Sequence, residues 1–181
     1  SGNIDHLRMG NLTVNLPGVA HLSANGHINY ALNNWRNARF NFNLRTQHMA
    51  AVQQLLPKRV QQTLHIPNGI AARGSVTLNG NNYAANLNAT CGKGALAAKA
   101  KINTQSQAYQ LQARANRFPI AHIVRGIPVG PFSGSIQATG RHFDVLSAYA
   151  TLRANLRAEA LQYDRYDLSG LHLEANLHGG R

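Results

Sequence analysis

The chain has 181 residues, 44% of them hydrophobic and only 13% charged, which is the composition of a folded protein rather than a disordered one. Its formal charge is +12, yet no carboxylate lies between Asp5 and Asp144, so a carboxylate-pair active site is excluded from most of the chain. A lone cysteine, Cys91, excludes an internal disulfide framework, and no segment has the roughly 18 to 20 continuous apolar residues of a membrane helix.

From the N-terminus onward, apolar and polar residues alternate. Leu12-Thr13-Val14-Asn15-Leu16, Phe40-Asn41-Phe42-Asn43-Leu44 and Leu152-Arg153-Ala154-Asn155-Leu156 are clear examples. Successive side chains of a β-strand point to opposite faces, so each run lays its apolar members on one side of a sheet. The alternation predicts strands over Asn11 to Leu16, His21 to Leu32, Ala38 to Arg45, Ala72 to Asn79, Tyr83 to Cys91, Leu96 to Asn103, Tyr109 to Asn116, Phe132 to Thr139, Ala148 to Ala158 and Leu171 to Leu177. Short turn signals such as Gly80-Asn81-Asn82 and Gly92-Lys93-Gly94 separate most of them, which points to sequential hairpins and an antiparallel meander. The final His178-Gly179-Gly180-Arg181 reads as a hairpin turn lacking its return strand, and the chain is expected to be a segment of a longer protein.

Two stretches change period. Met49, Val52, Leu55 and Leu56 follow helical spacing, with Thr46 as N-cap and Pro57 as stop; Ile120, Ile123, Val124 and Ile127 do so after Pro119. Each precedes a glycine-started strand, Arg73-Gly74-Ser75-Val76-Thr77-Leu78-Asn79-Gly80 and Ser133-Gly134-Ser135-Ile136-Gln137-Ala138-Thr139-Gly140. A repeating unit is therefore expected, with units 46–117 and 118–181 in a single quasi-linear array.

Two one- to two-turn helices cannot cover ten strands' worth of apolar face. Either the sheet closes on itself as a sandwich or barrel, or it curls into a trough whose lining is left for a ligand. Inward positions are often alanine, including Ala24, Ala85, Ala98, Ala100, Ala113, Ala138 and Ala154, and small residues leave room. The fold expected is all-β with two short helices: an elongated, curled antiparallel sheet with an apolar trough, built from repeats. Its lining residues are Leu12, Val14, Ile28, Tyr30, Phe40, Phe42, Leu44, Val76, Leu78, Leu87, Leu96, Ile102, Leu111, Ile136, Leu152, Leu156, Leu173 and Leu177.

Basic residues Arg36, Arg39, Arg45, Arg73, Lys99, Lys101, Arg114, Arg153 and Arg157 fall mostly on the outward phase, without the dense run of a nucleic-acid arm, and no nucleic-acid partner is expected. Gly92-Lys93-Gly94-Ala95-Leu96-Ala97 has the letters of a dinucleotide loop, but a strand follows it, not a helix, and it is read as a hairpin turn. Asp164 and Asp167 sit in a polar loop. The nine histidines are scattered without metal-ligand spacing. No enzyme activity, cofactor or metal is expected.

The passages Phe118-Pro119-Ile120-Ala121-His122-Ile123-Val124, Phe132-Ser133-Gly134-Ser135-Ile136-Gln137-Ala138-Thr139-Gly140-Arg141-His142-Phe143-Asp144 and Tyr163-Asp164-Arg165-Tyr166-Asp167-Leu168-Ser169-Gly170-Leu171 resemble the AsmA-like superfamily, and within it the TamB-type envelope proteins. Arg141-His142 stands where that family often has glycine. The resemblance implies a periplasmic segment of a long protein anchored in the inner membrane. It implies a trough that conducts phospholipid acyl chains between inner and outer membrane, or a chaperone-like module that assembles outer-membrane proteins by β-augmentation. The partners expected are thus an acyl lipid or an outer-membrane assembly protein. Free edges and an exposed apolar face also invite dimerisation.

Overall fold

The computed structural model describes residues 6–29, 37–55, 57–63, 65, 67–123, 126–144 and 147–179. Ten strands form one sheet: β1 (His6–Leu16), β2 (Ala20–Asn29), β3 (Asn37–Thr46), β4 (Ile70–Asn79), β5 (Asn82–Cys91), β6 (Gly94–Asn103), β7 (Ala108–Phe118), β8 (Phe132–Arg141), β9 (Thr151–Ala160) and β12 (His172–His178). Their order across the sheet is their order in the chain, with every pair antiparallel. A two-residue hairpin of β10 (Gln162–Tyr163) and β11 (Tyr166–Asp167) hangs off the connection from β9 to β12, where a plain loop was expected.

The sheet curls without closing, since β1 and β12 each pair on one side only. A sandwich is excluded by burial. Among the described residues no large side chain is fully buried, and inward-phase Leu12, Ile102, Leu111 and Leu173 are 48%, 39%, 37% and 50% exposed. Interdigitated inner faces of two packed sheets would leave such residues dry.

Three bulges keep the apolar phase continuous. Gly10 and Asn11 together oppose Asn25, so that Leu7 and Met9 share a face with Leu12 and Val14 despite the change of parity. In β7 the register slips between Ala115 and Phe118, where Arg117 adopts φ 45° and donates its backbone N–H to Ser133 Oγ at 2.8 Å. The slip swings Phe118 onto the apolar side. A third slip, opposite Ser133 and Gly134, turns out Glu159 from β9.

Both long excursions leave from the same end of the strands. The first contains α1 (Ala50–Leu55) and α2 (Lys58–Thr63), separated at Pro57; the second, among its described residues, contains a 3-10 turn, η1 (Ile120–His122), and no α-helix. The helix expected from Ile120 onward is thus a single tight turn, with Gly126 at φ 78° beyond it. Val124 lies outside the described residues. Thr46 does not cap α1 either: it ends β3, its Oγ1 accepts the N–H of Ile70 (2.9 Å) and contacts the carbonyl of Pro67 (3.2 Å), and it is buried. The backbone N–H of Met49 goes to Asn68 Oδ1 at 2.9 Å. His65 donates its N–H to the carbonyl of Ile123 at 2.7 Å, joining the two excursions along one margin of the sheet. The main buried cluster lies at that margin, where Ala89, Cys91, Ala115 and Phe118 pack with Ile70, Leu96, Ile120, Ile123 and Phe132. Cys91 is buried, as its inward phase implied, and desolvation pushes its thiol pKa up.

Candidate functional site

Strand partners directly opposite one another point to the same face, so the registers can be read straight across the sheet. One row runs Leu12, Ala24, Phe42, Gly74, Leu87, Ala98, Ala113, Ile136, Leu156, Leu173, through all ten strands without a polar residue. The next runs Met9, Gly26, Phe40, Val76, Ala85, Ala100, Leu111, Ala138, Ala154, Ala175. A third is Leu7, Ile28, Ala38, Leu78, Tyr83, Ile102, Tyr109, Gly140, Leu152, Leu177. On the other side of the first, Val14, Leu22, Leu44, Ala72, Ala89, Leu96, Ala115, Gly134 and Ala158 make a fourth row over nine strands. Every lining residue expected from sequence falls in these rows except Tyr30, which lies outside the described residues.

On β6, Ala98 and Ala100 point to the apolar side and are half-buried, whereas Ala95 and Ala97 point the other way and are exposed. Ala98 is flanked across the sheet by Leu87 and Ala113, and Ala97 by Asn88 and Arg114. At about 4.8 Å between strands and 3.3 Å per residue, the face measures roughly 43 Å across the strands and 33 Å along them.

Its relief alternates. Leu87 stands between Gly74 and Ala98, and Leu111 between Ala100 and Ala138, so bulky side chains rise from a floor of small ones. The glycines have a steric reason. A Cβ on Gly74 would meet the Phe42 ring at 2.7 Å, and one on Gly26 would meet Phe40 at 2.5 Å; each ring lies down over the bare backbone of the next strand. Gly140 holds the same relation to Tyr109. Flattened rings keep the floor low.

The back of the sheet is polar. Arg39, Arg45, Arg73, Lys99, Lys101, Arg114, Arg153 and Arg157 all stand there, as their phase implied, while Arg36 lies outside the described residues. Amides bridge neighbouring strands, as in Asn41 Nδ2 to Asn25 Oδ1 (3.0 Å) and Asn103 Nδ2 to Asn82 Oδ1 (2.8 Å). An open depression of about 500 Å³ on this side is bordered by Ser23, Asn25, Asn41, Asn43, Arg73 and Asn88.

Gly92-Lys93 is a tight hairpin between antiparallel β5 and β6, with Gly92 at φ 57°, and no helix follows to receive a pyrophosphate. Asp164 occupies the turn of the β10–β11 hairpin, and Asp167 is held below the usual carboxylate pKa by the hydroxyl of Ser169 and then by the Ser169 backbone N–H, which it accepts at 2.9 Å. Among the described residues no three His, Cys, Asp or Glu side chains gather to hold a metal ion, and no helix is long and apolar enough to cross a membrane. Compared with known proteins, the chain matches no family model, no curated protein and no solved structure.

Proposed function

We propose that the apolar face is a non-enzymatic conduit for acyl lipid, with chains lying in the curl and headgroups held at the margins where the strands turn. The observation that carries this reading is the set of apolar rows running unbroken across the sheet with no layer formed by the described residues over them. A folded chain gains about 25 cal/mol for each Å² of apolar surface removed from water, so such a face stays open only where something outside the domain covers it. One leaflet's chains span about 15 Å, half the hydrocarbon core, and a face roughly 43 Å long accommodates two or three end to end. The resemblance to TamB-type envelope proteins supplies the setting: a periplasmic segment of a protein anchored in the inner membrane, passing phospholipid toward the outer membrane.

The second reading is β-augmentation during outer-membrane protein assembly. It rests on β1, an edge strand exposed along its whole length, with Leu7, Met9, Leu12, Val14 and Leu16 all at least 37% exposed. Photo-crosslinking separates the two. A photoreactive residue at Ala98 should capture phospholipid in cells and one at Ala97 should not, although the two are adjacent in sequence. Capture of a protein from Asn11 with no lipid from Ala98 would favour the second reading, and equal lipid capture at Ala97 and Ala98 would refute the first.

A further inference from the structure

Independently of what the apolar face carries, we propose that the polar back of the sheet binds a linear acidic polysaccharide, with its centre at Lys99, Arg114 and Arg157. The registers put these three together. Lys99 lies opposite Gln112, two residues from Arg114, and Arg114 is separated from Arg157 by Ser135 alone. Diagonal neighbours on one face are about 7 to 8 Å apart and next-but-one strands roughly 10 Å apart, so the cations form a triangle about the width of a sugar unit or two.

They border a single depression of about 440 Å³, together with Gln112, Ser135 and Gln137. All three cationic side chains are exposed. The one carboxylate beside them, Glu159, is paired loosely with Arg114 at 3.9 Å, both groups being largely in solvent, and such a pair is worth little and yields readily to a ligand anion. Positive charge with the amides of Gln112 and Gln137, the hydroxyl of Ser135 and the small Ala97 between the cations suits a ligand that presents both anions and hydroxyls.

The alternatives fit less well. Base stacking needs aromatic side chains, and the back-face rows through β4 to β9 contain none. An anionic bilayer is flat, whereas the sheet is curled, and its back face through β4 to β9 offers no apolar side chain larger than alanine to insert. A flexible polysaccharide can follow a curved surface.

Titration by fluorescence anisotropy with labelled polygalacturonate, alongside single-stranded DNA of equal charge and anionic phosphatidylglycerol vesicles, tests this. The triple variant Lys99→Gln, Arg114→Gln, Arg157→Gln should bind polygalacturonate about tenfold more weakly and lower the slope of log affinity against log salt by about two units. The triple variant Lys58→Gln, Lys93→Gln, Arg117→Gln removes the same charge from α2, the β5–β6 turn and the β7 bulge and should leave affinity within about threefold. Equal losses in the two triples, or DNA or vesicles bound as tightly as polygalacturonate, would overturn the proposal.

Discussion

Leu87 and Leu111 offer the sharpest test of the apolar face, because each is the tall side chain in a local field of glycine and alanine. Replacing both by aspartate removes two points of contact with a bound chain and sets two carboxylates beneath it. Burying a leucine completely is worth about 1.5 to 3 kcal/mol, and since the sheet already shields about two thirds of Leu111 and at least as much of Leu87, about 0.5 to 1 kcal/mol per leucine remains for lipid to gain. A carboxylate under an acyl chain must either protonate, at up to about 4 kcal/mol near pH 7, or keep its water and displace the chain. The first contribution alone sums to about 1 to 2 kcal/mol, or roughly 5- to 30-fold in affinity, and the second adds to it. The control is Asn86→Asp with Gln112→Asp, which adds the same charge to the same strands one residue away on the back face, where both side chains are exposed. Titration with a phospholipid carrying a fluorophore on its acyl chain should show at least about tenfold weaker binding for the leucine pair and a change within about threefold for the control. Circular dichroism and the urea midpoint check that both variants fold. Equal loss in the two pairs would refute the assignment of the binding face.

Steric and hydrogen-bonding features of the sheet give further tests. Gly74→Ala should lower stability by about 1 to 3 kcal/mol, because its Cβ collides with the Phe42 ring and with the backbone beside it, whereas Gly10→Ala, with nothing within 4 Å, should cost little; urea denaturation measures both. Thr46→Val should cost about 1 to 3 kcal/mol by leaving the Ile70 N–H without its acceptor, and Thr46→Ser should recover most of it, again by urea midpoint. Cys91, 7% exposed and with its thiol pKa raised by burial, should react with a thiol reagent at least about 100-fold more slowly in the native protein than in urea; equal rates would mean that the margin of the sheet opens freely.

Most of the sheet was legible because alternation is a local property: Phe40, Phe42 and Leu44 declare their common face without reference to any other strand. The same locality explains the failures. Ile120 and Ile123 are three apart, a spacing shared by an α-helix and a single 3-10 turn, and only the backbone bonds from His122 to Pro119 and from Ile123 to Ile120, each spanning three residues, distinguish them. Thr46 looks like an N-cap in sequence, but its partner Ile70 is 24 residues away. The bulge at Gly10 and Asn11 was also invisible, since Leu7 and Met9 have the opposite parity from Leu12 and only the pairing with β2 brings them to one face. The curl depends on all ten strands together, and the contrast in exposure between Ala97 and Ala98 required coordinates.

The central claim is that the apolar face is covered by lipid rather than by the protein itself. Native mass spectrometry of the protein purified from bacterial membranes without detergent, followed by lipid extraction, tests it most directly. The account expects phospholipid bound at near-stoichiometric level and lost from the Leu87→Asp, Leu111→Asp variant; a well-folded monomer free of lipid would contradict it.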